Sequence, residues 1–218
     1  MHTRIAELLS LAGGAIAEPE PHDSAVEYLG RWGALGASLA EVLSQTNGFY
    51  AFDAALLVRP LRHQSSPVGI VEWNVPSLWK GEFADDLSGV LFFAEDFFGG
   101  QFGIRGKRIC IFEPETGDCE DKYRSLGDWA DALLSDDALT GYSLTQTWKA
   151  KMGILQSGTR LVPKTPFVCG GAYEIDNLYP IDDVAGMTFR SSIANQIRDL
   201  PDGAEIILDF QNDDEPSL

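Results

Sequence analysis

Apolar residues near the start of the chain recur with the spacing of an amphipathic helix. The positions that keep this spacing of three or four are Ile5, Leu8, Leu9 and Ala12. Gly13-Gly14 ends the run, and a second helical stripe follows over residues 28–43. That stripe stops before Asn47-Gly48, a pair that tolerates positive φ and commonly ends helices. The pattern therefore predicts that the first 48 residues are helical.

Beyond residue 48 the pattern changes to short runs of β-branched and aromatic residues, which are typical of strands. Strands are predicted over residues 49–58, 69–73, 90–94, 101–104 and 107–112, with a closing strand over 204–210. Arg105-Gly106 separates two of these runs and predicts a tight hairpin. The second strand of the hairpin leads into a turn over 113–118, where Pro114 and Gly117 punctuate the chain.

Helical spacing returns after the hairpin. Ser125 and Asp128 resemble a capping box at the start of a helix over residues 126–134. A second helix is predicted from the stripe Leu144, Trp148, Met152 and Leu155. Two prolines make residues 161–168 extended, and a last helix over 193–200 ends at Pro201-Asp202-Gly203. These elements predict an α+β fold with N-terminal helices, a central antiparallel β-sheet, flanking helices and a small C-terminal α/β extension.

The same pattern suggests how the 218 residues are organised. We expect an N-terminal helical segment over residues 1–25 and an α+β core over 26–140. An extension over 141–210 is expected to pack on the core, and residues 211–218 are expected to be a frayed acidic tail.

Charge restricts the partners of this chain. Thirty-three acidic residues against 16 Lys and Arg give a net charge of −17, and acidic residues outnumber basic ones in every third of the chain. Such a polyanion repels nucleic acid and anionic lipid, so neither is expected as a partner. The acidity favours fast capture of a basic protein or serves solubility alone, and the sequence leaves both explanations open.

The expected cellular compartment of this protein rests on its apolar stretches, its first residues and its cysteines. It has no apolar stretch of 18 residues, and its first residues do not resemble a signal peptide. Three cysteines without metal-type spacing are typical of reduced thiols. We therefore expect a cytoplasmic protein without a membrane partner.

Candidate chemistry is sparse. The glycine-rich segment 99–107 fails as a phosphate-binding loop because five residues separate Gly100 from Gly106 and Arg108 follows the lysine. The histidines are not paired at metal-ligand spacing, and Cys169 is expected to be a buried, inert thiol. Counting acids leaves a carboxylate pair of the glycosidase type open. We predict no catalytic residue, no cofactor and no bound metal.

The segment from Leu91 to Phe102 has an apolar strand, the acidic pair Glu95-Asp96, an aromatic residue before glycine, and a second strand. This order resembles the central hairpin of the SUKH superfamily, the proteins similar to the yeast cell-wall-synthesis regulator Smi/Knr. Further motifs follow in the expected order over residues 45–48, 113–117 and 126–130, and the part after residue 160 resembles an extension of one bacterial branch. The resemblance covers about residues 26 to 210.

The resemblance implies a non-catalytic binding protein, because bacterial members are largely immunity proteins that block toxins, often nucleases. A nuclease grips a polyanion with a basic surface, so an acidic antidote would complement it. The candidate partner-binding residues are the acids Asp85, Asp86, Glu95 and Asp96, which would steer association, and Trp73 and Trp79 as apolar anchors. The alternatives are ordinary packing for the two tryptophans and a regulatory or scaffold module like the yeast relative. An enzyme is the third class.

Overall fold

The computed structural model describes residues 2–201 and 203–208. The predicted tail over 211–218 lies outside these residues, as do the last two positions of the predicted closing strand. Residues 204–208 form no strand, so the described part of that prediction is wrong. Among the described residues, no helix combines the length and apolar character that crossing a membrane requires.

The helices and strands are arranged along the chain in three blocks. The first block is helical and contains α1 (Thr3–Ser10), α2 (His22–Leu29) and α3 (Gly33–Gln45). The strands of the middle block are β1 (Phe49–Ala51), β2 (Leu56–Val58), β3 (Val90–Glu95), β4 (Gln101–Arg105), β5 (Arg108–Phe112) and β6 (Cys119–Tyr123), with the short α4 (Ile70–Trp73) after β2. The last block contains α5 (Leu126–Ser135), α6 (Tyr142–Met152), β7 (Thr159–Pro163), β8 (Leu178–Asp182) and α7 (Asp183–Ile197).

Two antiparallel sheets result from this order. The larger sheet has six strands, each paired with the next along the chain from β1 to β6, and the smaller sheet pairs β7 with β8. The predicted hairpin is confirmed, since Arg105 pairs with Arg108 across the turn. The α+β architecture expected from the sequence is therefore what the chain adopts.

Both faces of the large sheet are covered, which explains the uninterrupted apolar sequence of β3. Leu91 and Phe93 face a core shared with α1, α2, α3 and α5. Phe92, between them, faces a second core that includes Trp73, Trp79 and Met187 of α7. Successive side chains of a strand point to opposite faces, so β3 must be apolar on both.

Helix α5 shows how local sequence sets an element boundary. The Ser125 Oγ accepts a hydrogen bond from the Asp128 backbone N–H at 3.0 Å, which confirms the predicted cap. Trp129 then lies on the buried face of the helix and packs edge-on against Phe93 and Phe102 of the sheet. Trp129 therefore belongs to the core between α5 and the sheet.

In the middle of the chain, the structure differs from the predictions at several elements. Residues 49–58 form a hairpin, because Phe52, Asp53 and Ala54 adopt positive φ and reverse the chain between β1 and β2. Residues 70–73 form a helical turn where a strand was predicted. The strand β6 was not predicted, since its sequence Cys-Glu-Asp-Lys-Tyr is polar and lies at the edge of the sheet.

Candidate functional site

Glu95, predicted to steer a partner, lies instead in a buried ion network. Its two carboxylate oxygens each accept a hydrogen bond at 2.8 Å, one from Arg59 Nη2 and the other from Arg160 Nε. Arg59 Nη2 also donates to Asp183 Oδ2 at 2.9 Å. All four side chains are at most 3% exposed. The prediction that Glu95 meets a partner at the surface is wrong, because the network leaves it no access to solvent.

The network balances two cations against two anions. Burial acts to raise the pKa of Glu95, but Arg59 and Arg160 together lower it below the ordinary value. Burial raises the pKa of Asp183, whose one cationic partner among the described residues is Arg59. Arg59 comes from the loop after β2, Arg160 from β7 and Asp183 from α7. The network therefore joins the large sheet to the C-terminal part of the chain.

Trp73 and Trp79, the predicted apolar anchors, are both fully buried. The Trp73 indole N–H donates to Gln101 Oε1 at 2.9 Å, and the Arg59 guanidinium carbon lies 3.4 Å from the centroid of the Trp73 ring. The ring of Trp79 contacts those of Trp73 and Phe92. The anchor role is wrong for this structure, and the packing alternative is what the geometry supports.

Asp85 and Asp86 are exposed, as a steering role requires. Asp85 Oδ1 pairs with Arg198 Nη2 at 2.7 Å, and Asp86 Oδ1 accepts from the Ser88 N–H at 2.8 Å. Bonding to the Ser88 N–H lowers the pKa of Asp86. Both acids border a small depression beside Lys80, whose pKa burial lowers to about 8.

Asp96 follows Glu95 directly, just past the end of β3, and has different surroundings. Its Oδ1 accepts hydrogen bonds from the backbone N–H groups of Phe98 and Gly100, at 2.8 and 2.9 Å. The two glycines of this loop are required. Gly99 has a φ of 79° and lies against the Arg190 guanidinium, while a Cβ on Gly100 would come within 2.5 Å of Asp96 Oδ2.

The loop that holds Asp96 forms one wall of a cleft of about 710 Å³ between the sheet and the C-terminal part of the chain. Aromatic and acidic residues dominate its lining, and we call it the aromatic cleft. It is lined by Asp96, Phe98, Gly100, Glu113, Asp137, Ala138, Gly141, Ser143, Leu144, Phe167, Tyr173 and Arg190. Its volume is within the range of small-molecule sites.

The aromatic wall of the cleft is ordered by stacking. The rings of Phe167 and Tyr173 are nearly parallel, at 8°, with centroids 3.9 Å apart. Phe98 meets both edge-on, at centroid distances of 5.5 and 5.9 Å. Tyr173 is 61% exposed, so the stack forms the rim of the cleft as well as its wall. Aromatic surface is thus available to a ligand.

The electrostatics of the aromatic cleft are dominated by carboxylates. Burial, with help from the nearby Glu113, raises the pKa of Asp96 to about 7. Burial and the negative charge of Glu113, Glu115 and Asp96 raise the pKa of Tyr173. Burial lowers the pKa of Arg190 even though the same carboxylates act to raise it. The cleft therefore disfavours further negative charge and favours a cation.

Arg190 lines the cleft, and its guanidinium is already hydrogen-bonded to backbone carbonyls. Its guanidinium donates to the Phe98 carbonyl and, through Nε, to the Gly186 carbonyl at 3.1 Å. Among the described residues, neither Asp96 nor Glu113 forms an ion pair with a cationic side chain. These carboxylates are therefore free to bind a cation from outside.

Sequence reasoning singled out Asp96 but missed the other residues of the cleft. Glu113 and Pro114 were assigned to a turn, and the aromatics Phe167 and Tyr173 have no periodicity that marks them. Cys169, expected to be buried, is exposed, so that prediction is wrong. Within the described ranges, no three His, Cys, Asp or Glu side chains are grouped as a metal site requires.

Comparison with known proteins adds the fold alone. No protein-family model matches the sequence, and no functionally curated protein matches it significantly. The structure is similar to the crystal structure of Atu4351 from Agrobacterium tumefaciens, with a TM-score of 0.58 over 88% of each chain. The two sequences are 13% identical, so the similarity shows a shared fold and nothing beyond it.

Proposed function

We propose that this chain is a non-catalytic, cytoplasmic binding protein that neutralises a toxin by direct binding, as the resemblance to the SUKH superfamily implies. The observation that supports this most is the aromatic cleft, an open site whose rim carries stacked aromatic rings and whose carboxylates Asp96 and Glu113 lack cationic partners among the described residues. Aromatic rings are enriched in protein-binding hot spots, and unpaired carboxylates complement a basic surface.

The overall charge supports the same proposal. A net charge of −17 accelerates encounter with a basic protein, and this advantage weakens as salt rises. Asp85 and Asp86 are exposed and contribute to this field without belonging to the cleft. A basic toxin domain, such as that of a nuclease, has the complementary charge.

The test is affinity capture from the host of this protein at two salt concentrations, followed by reconstitution. We expect one stoichiometric partner with a basic domain, captured less efficiently at high salt. Co-expression of the tagged chain with that domain should then restore the growth of cells that the domain alone arrests. Glu113→Gln should weaken capture and protection, whereas Glu120→Gln removes the same charge from exposed β6, outside the cleft, and should not.

Two outcomes would contradict the proposal. Several substoichiometric partners from signalling or the cell envelope, with no growth protection, would favour the regulatory or scaffold module instead. Turnover of a substrate that disappears in Asp96→Asn would identify an enzyme.

A further inference from the structure

The aromatic cleft has features that select one kind of cation. A planar guanidinium stacks on aromatic faces and binds carboxylates through two parallel hydrogen bonds. An ammonium is a compact, strongly hydrated point charge and gains less from a flat aromatic wall. The stack of Phe167 and Tyr173 supplies such a wall, with Phe98 closing it edge-on.

Acidic groups occupy the other side of the same space. Asp96 lines the cleft from the loop between β3 and β4, Glu113 from the residue after β5, and Asp137 from the segment after α5. Asp96 is fixed in place, because its Oδ1 is bound by two backbone N–H groups. Its Oδ2 accepts no hydrogen bond from the part of the chain that the structure describes, so it remains available to a ligand.

Arg190, the cationic side chain that lines the cleft, does not occupy the space between the aromatic wall and the carboxylates. The Arg190 guanidinium donates hydrogen bonds to the Phe98 and Gly186 carbonyls. It also lies against Gly99, since a Cβ added to Gly99 would come within 2.4 Å of Arg190 Nη2. Three carboxyl groups and one guanidinium line the cleft. With all of them ionised, the cleft carries an excess of two negative charges.

We propose that the aromatic cleft is a binding site for the guanidinium group of an arginine side chain presented by the partner. The arginine head stacks on the exposed aromatic wall at Tyr173 and donates to Asp96 and Glu113. This inference rests on the proposed function for the identity of the partner, but the site itself can be tested without one.

The probe is N-acetyl-arginine methylamide, titrated into the full chain and followed by NMR. N-acetyl-citrulline methylamide serves as the neutral isostere, and N-acetyl-lysine methylamide as the ammonium. We expect saturable shifts at Phe98, Phe167 and Tyr173 with the arginine probe, at least fivefold weaker binding of the lysine probe, and none of the citrulline probe. Equal binding of all three, or shifts confined to residues outside the cleft, would overturn the proposal.

Variants assign the contacts. Tyr173→Leu and Glu113→Gln should each weaken arginine binding at least threefold, because each removes a proposed contact of the guanidinium. Both side chains are exposed at the rim, so the substitutions leave the core intact. Glu120→Gln is the matched control and should bind as the wild type does. Thermal unfolding of each variant establishes that the fold is retained. Unchanged binding in both rim variants would overturn the proposal.

The outcome separates this inference from the proposed function. A toxin that binds with unchanged affinity to Tyr173→Leu and Glu113→Gln would overturn the arginine site but keep the immunity function. Specific binding of the arginine probe by a chain that protects against no toxin would keep the site and overturn the proposed function.

Discussion

Glu95 and Asp96 are neighbours in sequence, yet the ion network around Glu95 and the aromatic cleft around Asp96 shift the pKa of a carboxylate in opposite directions. Two arginines and Gln101 surround Glu95 and lower its pKa on balance, despite complete burial. The donors to Asp96 in the described part of the chain are backbone N–H groups alone, and burial raises its pKa to about 7. The partners of a buried carboxylate, more than its burial, therefore decide whether its charge is structural or available to a ligand.

The largest expected effect comes from removing the charge of Glu95. Glu95→Gln leaves Arg59 and Arg160 buried with only Asp183 as an anion, so the free energy of unfolding should fall by about 3–5 kcal/mol. Urea denaturation measures the loss. Glu120→Gln, which breaks the exposed pair with Lys122, should cost less than about 1 kcal/mol. Equal losses in the two variants would show that the network does not stabilise the fold.

Alanine substitutions at Gly99, in the Asp96 loop, and at Gly106, in the β4–β5 turn, would measure how tightly Arg190 packs against the loop. Gly99 and Gly106 both have positive φ, but only at Gly99 would an added Cβ meet other atoms within 4 Å, those of the Arg190 guanidinium. Alanine at either position costs about 1–2 kcal/mol of backbone strain. Gly99→Ala should cost at least about 1 kcal/mol more in urea denaturation, because of crowding. An equal cost at both positions would mean that Arg190 moves aside freely.

Asp96 gives a pH dependence with a definite sign. Its pKa in the folded chain, about 7, is above the ordinary value of 3.8. Between these values the folded state holds a proton that the unfolded state has released, so stability falls as pH rises through this window. Asp96→Asn keeps the side-chain acceptor for the loop N–H groups and cannot ionise. Relative to wild type it should gain more than about 1 kcal/mol in unfolding free energy between pH 5 and 8.

The control for this measurement is Glu27→Gln, since the Glu27 side chain is exposed on α2. Its difference from wild type should not change over the same pH range. A parallel response of both variants would show that general charge repulsion, and not Asp96, causes the pH dependence.

Binding of the arginine probe should depend on pH in the opposite direction. Among the described residues, the titratable groups that line the cleft are Asp96, Glu113, Asp137, Tyr173 and Arg190, and the charge of Glu115 acts on Tyr173 and Arg190 from nearby. Of these, Asp96 has a pKa near neutrality, so its ionisation should make binding severalfold tighter at pH 8 than at pH 6. NMR titration at the two values measures this. The difference should disappear in Asp96→Asn, and its persistence there would assign it to another group.

The smallest effect on stability is expected at Asp85 and Asp86. The double variant Asp85→Asn/Asp86→Asn should change the free energy of unfolding by less than about 1 kcal/mol, because the ion pair of Asp85 with Arg198 is exposed and asparagine at 86 keeps an acceptor for the Ser88 N–H. Association with a basic partner should nevertheless slow severalfold and lose part of its salt dependence. Stopped-flow mixing measures the rate. An unchanged rate would exclude this surface from steering.

Periodicity predicted those elements whose partners are local or whose burial is complete. The apolar run of β3, the Arg105-Gly106 turn and the Ser125 cap each specify their own structure, and all three are confirmed. Edge strand β6 was missed because its solvent-facing residues are charged. Helix α7 begins ten residues before its predicted start, since its cap, Asp182, precedes a stretch with weak apolar spacing.

The candidate site was predictable only in part, for a different reason. Asp96 follows a buried strand and was found from its position, but its neighbours Glu113, Phe167 and Tyr173 come from segments far apart in sequence. Nothing in a local pattern says that these segments meet. Trp73 and Trp79 failed as anchors because their segment folds back over the sheet and buries both rings.

The ion network also constrains how this chain can change over evolutionary time. Arg160 and Asp183 lie in the C-terminal part, and Arg59 and Glu95 lie in or beside the large sheet. A shortened relative that ended before β7 would leave Arg59 and Glu95 with half of their partners. Loss of the C-terminal part should therefore coincide with replacement of Glu95 and Arg59 by uncharged residues, so these two positions, one in β3 and one just after β2, should indicate the length of a related chain.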